Sequence, residues 1–188
     1  MAGQTRPDKT TYVRFFAGVD GASVKTLLTS VDEELKQGME RLVLMVSSPG
    51  GNVHAGLSAY NYLRGIPAQV IAHNFGSADS VAIVLYCAGS RRLCVPQARF
   101  LLHGVVANFP QGSALEEKQL EERLKSLRID TENIAGVIAA NCRKSEAEVH
   151  QAMLERTVLN PAEAIEWGLV HEIQESLFPA GARVITVQ

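Results

Sequence analysis

The feature that most restricts this chain is an alternation, from Tyr12 onward, of short β-branched apolar runs with amphipathic stretches of roughly helical length. That pattern calls for βα units around a mainly parallel sheet. Residues 12–17 read as a strand and residues 24–37 as a helix with Val24, Leu27, Leu28, Val31 and Leu35 on its apolar face, stopped by Gly38. Residues 41–47 (RLVLMVS) follow as a buried strand, broken by the turn Pro49-Gly50-Gly51, and residues 53–63 form a second helix ending at Gly65. A strand at 69–74, a turn at 76–79 and a buried apolar helix at 80–88, closed by Gly89, come next. Residues 93–95 and 100–102 are further strands separated by Pro96, and the second runs directly into His103. Residues 105–113, with Pro110 and Gly112, read as a loop.

Residues 115–141 form a long charged helical pattern in which Leu120, Leu124, Leu127, Ile134, Val137 and Ile138 recur near helical spacing. A helix of that length is expected to project or to pack against a partner. Two helix starts are then signalled, Ser145-x-x-Glu148 as a capping box and Asn160-Pro161-x-Glu163 as a cap followed by a first-turn proline. Strands at 170–173 and 183–187 close the chain.

With 188 residues, 46% of them apolar, the chain can bury one core, so residues 1–188 are expected to form one domain, with residues 1–11 as a flexible leader. The net charge of −2 is spread along the sequence and leaves no basic footprint for nucleic acid. No apolar run is long enough to span a membrane, and the polar N-terminus lacks the apolar core of a secretory signal, so a cytoplasmic protein is expected. Cys87, Cys94 and Cys142 have no metal-ligand spacing and read as buried free thiols. No metal or cofactor is expected.

Cleaving an amide or ester without a metal needs a nucleophile, a base, and N–H donors aimed at the developing oxyanion. Ser80 stands where a strand and the small-residue turn Gly76-Ser77-Ala78-Asp79 give way to a helix, so its hydroxyl lies at a helix N-terminus among free backbone N–H groups. The same position would suit a plain N-cap. His103 closes an apolar strand and precedes Gly104, which places its ring at a strand end, where sites of such sheets lie. His54, His73, His150 and His171 are competitors, His73 foremost. The turn Ser48-Pro49-Gly50-Gly51 follows a buried strand, and its glycines allow close approach of a substrate carbonyl. Its N–H groups with that of Val81 are candidate oxyanion donors.

Together these residues resemble the proteolytic subunit of the Clp protease family, within the crotonase-like superfamily. The landmarks are Phe16-x-Gly18, Ser48-Pro49-Gly50-Gly51, Gly76-x-x-x-Ser80 before a helix ending Ala88-Gly89, Pro96-x-Ala98-Arg99-x-x-x-His103, and Pro161-x-Glu163-Ala164-x-x-x-Gly168-Leu169-Val170. The resemblance covers residues 12–173 and implies a crotonase-like α/β fold of repeated βα units with a protruding handle helix at 115–141. It also implies a serine endopeptidase with Ser80 as nucleophile, His103 as base, and Gly51 and Val81 as oxyanion donors. Peptides or unfolded proteins would be its substrates, and the handle would join subunits into a homo-oligomeric ring.

The sequence departs from that pattern in three places. The slot of the triad aspartate holds Arg156, a cation that cannot accept the imidazole N–H, so the third member is unassigned, with the neighbouring Glu155 as a candidate. The segment after His103 lacks a clear Gly-rich peptide-pairing strand, and residues before Tyr12 do not show the family's axial segment. Coupling to an ATP-driven unfoldase is therefore not implied, and no phosphate-binding loop is present. Two other readings compete: a catalytically silent structural subunit of a mixed ring, motivated by Arg156, and an acyl-CoA-acting enzyme using the superfamily's oxyanion hole.

Overall fold

The computed structural model describes residues 9–109, 111–112 and 114–188. Residues 1–8 of the expected leader, and Pro110 and Ser113 of the expected loop, lie outside them. The rest of the leader is not loose, because β1 (Thr10–Phe15) begins two residues before Tyr12 and pairs in parallel with β2 (Arg41–Ser48) from Thr10↔Arg41 onward. Between them lies α1 (Gly21–Lys36), whose start is fixed by Asp20: its Oδ1 accepts from the N–H groups of Ala22 and Ser23, and Ser23 Oγ accepts from Asp20 N–H. Val24, Leu27 and Val31 recur at helical spacing and are buried, so one stripe of α1 enters the core.

After β2 come α2 (Val53–Gly65), β3 (Gln69–Asp79), α3 (Val81–Tyr86), β4 (Arg91–Cys94) and β5 (Arg99–Leu101). The long helix α4 (Glu117–Ala140) and α5 (Glu146–Leu154) follow, then β6 (Val158–Leu159), α6 (Pro161–Glu166), β7 (Glu172–Ile173) and β8 (Val184–Val187). Sheet order is β6-β5-β3-β2-β1-β8, parallel except where β6 runs against β5. This is the expected α/β architecture of βα units with a long helix.

One expected turn is strand. Residues 76–79 continue β3, whose first half pairs with β4 (Ile71–Asn74) and whose second half pairs with β5 (Ser77–Asp79). Asn74 makes the change of neighbour: its Oδ1 accepts from Gly76 N–H and its Nδ2 donates to Arg99 C=O. A Cβ at Gly76 would lie 2.6 Å from Ser47 Oγ, so a larger residue would have to turn that hydroxyl aside. The composition Gly-Ser-Ala-Asp suggests a turn, but the strand is held by pairing partners remote in sequence.

All six residues of α3 are fully buried, and the Tyr86 hydroxyl donates to Leu93 C=O at 3.0 Å. Beside it, Arg92 is only 6% exposed and has no carboxylate partner among the described residues. Its guanidinium donates instead to the carbonyls of Gly89, Asn141, Gly168 and Leu169. Three of these lie just past the C-terminal ends of α3, α4 and α6, where carbonyls lack intrahelical donors and the helix dipoles favour a cation. One side chain thus ties three helices to the end of β4. Helix α4 is anchored at that end only: Ile134, Ala135 and Ile138 are buried, whereas Leu120 and Leu124 are about half exposed.

Replacing Arg92 by Met keeps the bulk but strands several buried carbonyls. Arg92→Met is expected to cost about 3 kcal/mol or more, read as a lowered Tm at fixed protein concentration; an unchanged Tm would contradict this role.

Candidate active site

At Ser80 the chain leaves β3 through φ 57°, ψ −130°, outside the basins open to L-residues at no cost. Such a conformation costs about 1–3 kcal/mol and persists only where neighbours over-determine it. They do so here. Ser80 N–H donates to Leu101 C=O at 2.7 Å, Ile83 N–H donates to Ser80 C=O at 3.0 Å, and the following helix is fully buried. Gly50 packs so closely that a Cβ there would lie 2.6 Å from Asp79 O and 2.8 Å from Ser80 Cβ. The Ser80 hydroxyl caps nothing, so the plain N-cap reading lacks its hydrogen bond.

The turn opposite Ser80 is built by two glycines with positive φ, 87° at Gly50 and 149° at Gly51. Ser48 Oγ accepts from Gly50 N–H, and the turn pairs with Val19: Val19 N–H donates to Gly50 C=O and Asn52 N–H to Val19 C=O. In such a parallel bridge the middle residue's own N–H faces the other edge. That edge is the β3 side, so the Gly51 N–H is turned toward the region of Ser80. Val81 is the first residue of α3, and its N–H has no intrahelical acceptor.

His103 stands two residues past β5, the strand that pairs with the end of β3 through Asp79↔Leu101. Its Nδ1 is 2.7 Å from Gly104 C=O, which assigns the proton to Nδ1 and leaves Nε2 as an acceptor. Among the described residues no hydrogen bond joins Ser80 Oγ to His103; such contacts commonly tighten only with substrate bound. Sheet pairing brings the backbones of these two residues together, although they are 23 positions apart in the sequence.

The chain opposite His103 is equally well defined. Phe100↔Leu159 and Leu101↔Val158 pair antiparallel, and Leu102 N–H donates to Thr157 C=O, so the next position across from His103 is Arg156. Arg156 is exposed and has φ 57°. Glu155 is the C-cap of α5, and its Oε1 accepts from Gln151 Nε2 at 2.6 Å, engaging its carboxylate along its own helix.

The other histidines are differently occupied. His73 is fully buried beside Gln174 C=O (2.9 Å), and burial lowers its pKa. His171 Nδ1 accepts from Arg92 N–H, with its pKa lowered by desolvation and then by the Arg92 charge. His150 lies exposed on α5, and His54 lies 3.8 Å from Asp130. Burial pushes Cys87 up to about 12 and Cys94 to about 11, so both are neutral thiols near pH 7.

Beside Gly51 a groove of about 610 Å³ opens between the start of α2 (Asn52, Val53, His54), residues 105–108 and the exposed side of α4 (Arg123, Ser126, Leu127, Asp130). The segment leaving His103 is therefore one wall of a cleft that begins at the glycine turn. Among the described residues no cluster of three or more His, Cys, Asp and Glu side chains is arranged to hold a metal.

One side chain that sequence reading passed over also belongs here. Asp79, next to Ser80, is 5% exposed, and its Oδ2 is ion-paired with Arg99 Nη2 at 2.6 Å. The only sequence signal was an acid immediately before an apolar helix, which reads equally well as part of a turn.

A Cβ at Gly51 would lie 2.3 Å from Val19 C=O, a backbone atom that cannot swing aside. Gly51→Ala is therefore expected to cost about 2 kcal/mol and to abolish any Ser80 reactivity. Wild-type Tm together with wild-type reactivity would show the turn to be tolerant.

The family model for Clp protease matches residues 22–176. Among solved structures, the fold is similar to that of a point mutant of ClpP1 from Listeria monocytogenes, with a TM-score of 0.78 and 19% identity over 90% of this chain and 92% of that one. On the family match, which spans most of its length, this chain belongs to the Clp protease family.

Proposed function

We propose that the chain is a serine endopeptidase in which Ser80 and His103 cleave peptide bonds through an acyl-enzyme. The observation that carries this reading is the Ser80 joint itself: a strained backbone, an uncapped hydroxyl, and a glycine turn pressed against it. Natural chains retain such strain chiefly at functional positions.

In the proposed reaction Ser80 Oγ attacks the peptide carbonyl while His103 Nε2 takes its proton. The N–H groups of Gly51 and Val81 hold the oxyanion, His103 gives the proton to the leaving amine, and water then releases the acyl group. No cofactor takes part. An extended segment of peptide or unfolded protein would lie in the groove along residues 105–108. Leu120, Leu124 and Ile129 leave apolar surface exposed on α4, which suits packing against another copy in a homo-oligomeric ring.

The Gly104 carbonyl fixes the imidazole tautomer, yet it brings no negative charge to the imidazolium that forms. In serine triads loss of the orienting acid costs about four orders of magnitude in turnover. Either another group supplies that charge or the step is slow. Arg156 opposite His103 is the observation that favours a second reading, a catalytically silent subunit of a mixed ring.

Treatment with a fluorophosphonate probe, followed by peptide mass spectrometry, separates the two. The peptidase reading expects an adduct confined to Ser80, absent from Ser80→Ala and slowed at least about 100-fold in His103→Ala. An assembled, folded protein that takes no label would favour the silent subunit.

A further inference from the structure

Asp79 is a carboxylate that the fold has buried while leaving half of it unused. Its Oδ2 is held by Arg99, but Oδ1 is buried and has no hydrogen-bond partner among the described residues. A buried acceptor without a donor costs stability and calls for an explanation.

The sheet register supplies one. Asp79 pairs with Leu101, so its side chain shares a face with Leu101 and with the residues two places to either side, Arg99 and His103. The extended chain continues past β5, because Leu102 N–H still bonds to Thr157 C=O. On the Arg99 diagonal this geometry is realised as the ion pair. His103 occupies the other diagonal. The position across from His103 on the far side holds Arg156, so an acid missing from one neighbouring strand stands on the other.

We propose that Asp79 is the positioning residue for His103, its Oδ1 accepting the Nδ1–H that turns away from Gly104 C=O as the ring swings to take the Ser80 proton. This inference rests on the reading of Ser80 and His103 as a working pair. Asp79 would then supply the negative charge that a carbonyl cannot. Among the described residues, Arg99 lies on the same strand as His103 and Arg156 across from it, and His54, Arg123 and Asp130 line the groove. A carboxylate beside the ring favours the imidazolium, so removing it disfavours that form. Reaction needs neutral His103; hence the acid limb of the pH–rate profile moves to lower pH as the plateau falls.

The test is the rate of fluorophosphonate labelling at Ser80 across pH, with Tm measured in parallel. Asp79→Asn is expected to label about 100-fold more slowly, with its midpoint at lower pH, and Asp79→Asn/Arg156→Asp is expected to recover at least about tenfold by restoring an acid opposite His103. Labelling of Asp79→Asn within about twofold of wild type, at an unchanged midpoint, would overturn the inference. So would a loss of rate with neither a shifted midpoint nor recovery in the double variant, which marks a structural role. If Asp79→Asn does not fold, proton NMR of the wild-type protein with a peptide boronate decides. A strongly downfield His103 Nδ1–H supports a carboxylate acceptor, and a resonance unmoved from the free protein rules it out. Wild-type protein that fails to label at Ser80, or labels regardless of His103→Ala, would instead remove the underlying reading and this inference with it.

Discussion

The backbone of Ser80 is the constraint on which the rest of the site depends. A strand that runs straight to Asp79 and a helix that starts at Val81 can be joined at a single residue only if that residue leaves the ordinary basins. The conformation is held from three sides: Leu101 C=O takes its N–H, Gly50 fills the space opposite without a Cβ, and α3 is sunk wholly in the core. Relaxing Ser80 would mean moving β5, the glycine turn or the core helix. These are also the elements that lead to His103, Gly51 and Val81.

The scaffold behind the joint is stiffened by a second device. Arg92 gathers carbonyls from the ends of α3, α4 and α6, so the helix that follows Ser80 is fixed at both ends, by the strained joint and by a buried cation. The same cation anchors only one end of α4 and leaves its first half to form a groove wall and to present exposed leucines. The helix after Ser80 is buried and held at both ends, whereas the outer half of α4 keeps its leucines about half exposed.

Much of this was legible in the sequence because it rests on local patterns. The βα alternation, the Pro49-Gly50-Gly51 turn, the capping boxes at Ser145 and Asn160 and the buried helix after Ser80 are each written within a few residues. What escaped depends on pairing across the sheet. The second half of β3 reads as a turn because its strand character comes from β5, and β6 has two residues and no periodicity of its own. Asp79 and Arg99 are 20 positions apart and meet only through that pairing. Arg156 was visible as a cation in an acid's slot, but its place across from His103 required the β5–β6 register. Glu155, adjacent in sequence, is turned along α5 to Gln151.

The proposed reaction requires Ser80 Oγ, His103 Nε2 and the N–H groups of Gly51 and Val81 to converge on one reacting carbonyl. A crystal structure of the protein treated with a peptide chloromethyl ketone tests it most directly, since that reagent bonds a nucleophilic serine and its histidine in one adduct. Bonds to Ser80 Oγ and His103 Nε2 are expected, with the former ketone oxygen within hydrogen-bonding distance of the Gly51 and Val81 N–H groups. An adduct on another residue, or on Ser80 with its oxygen turned away from both N–H groups, would contradict it.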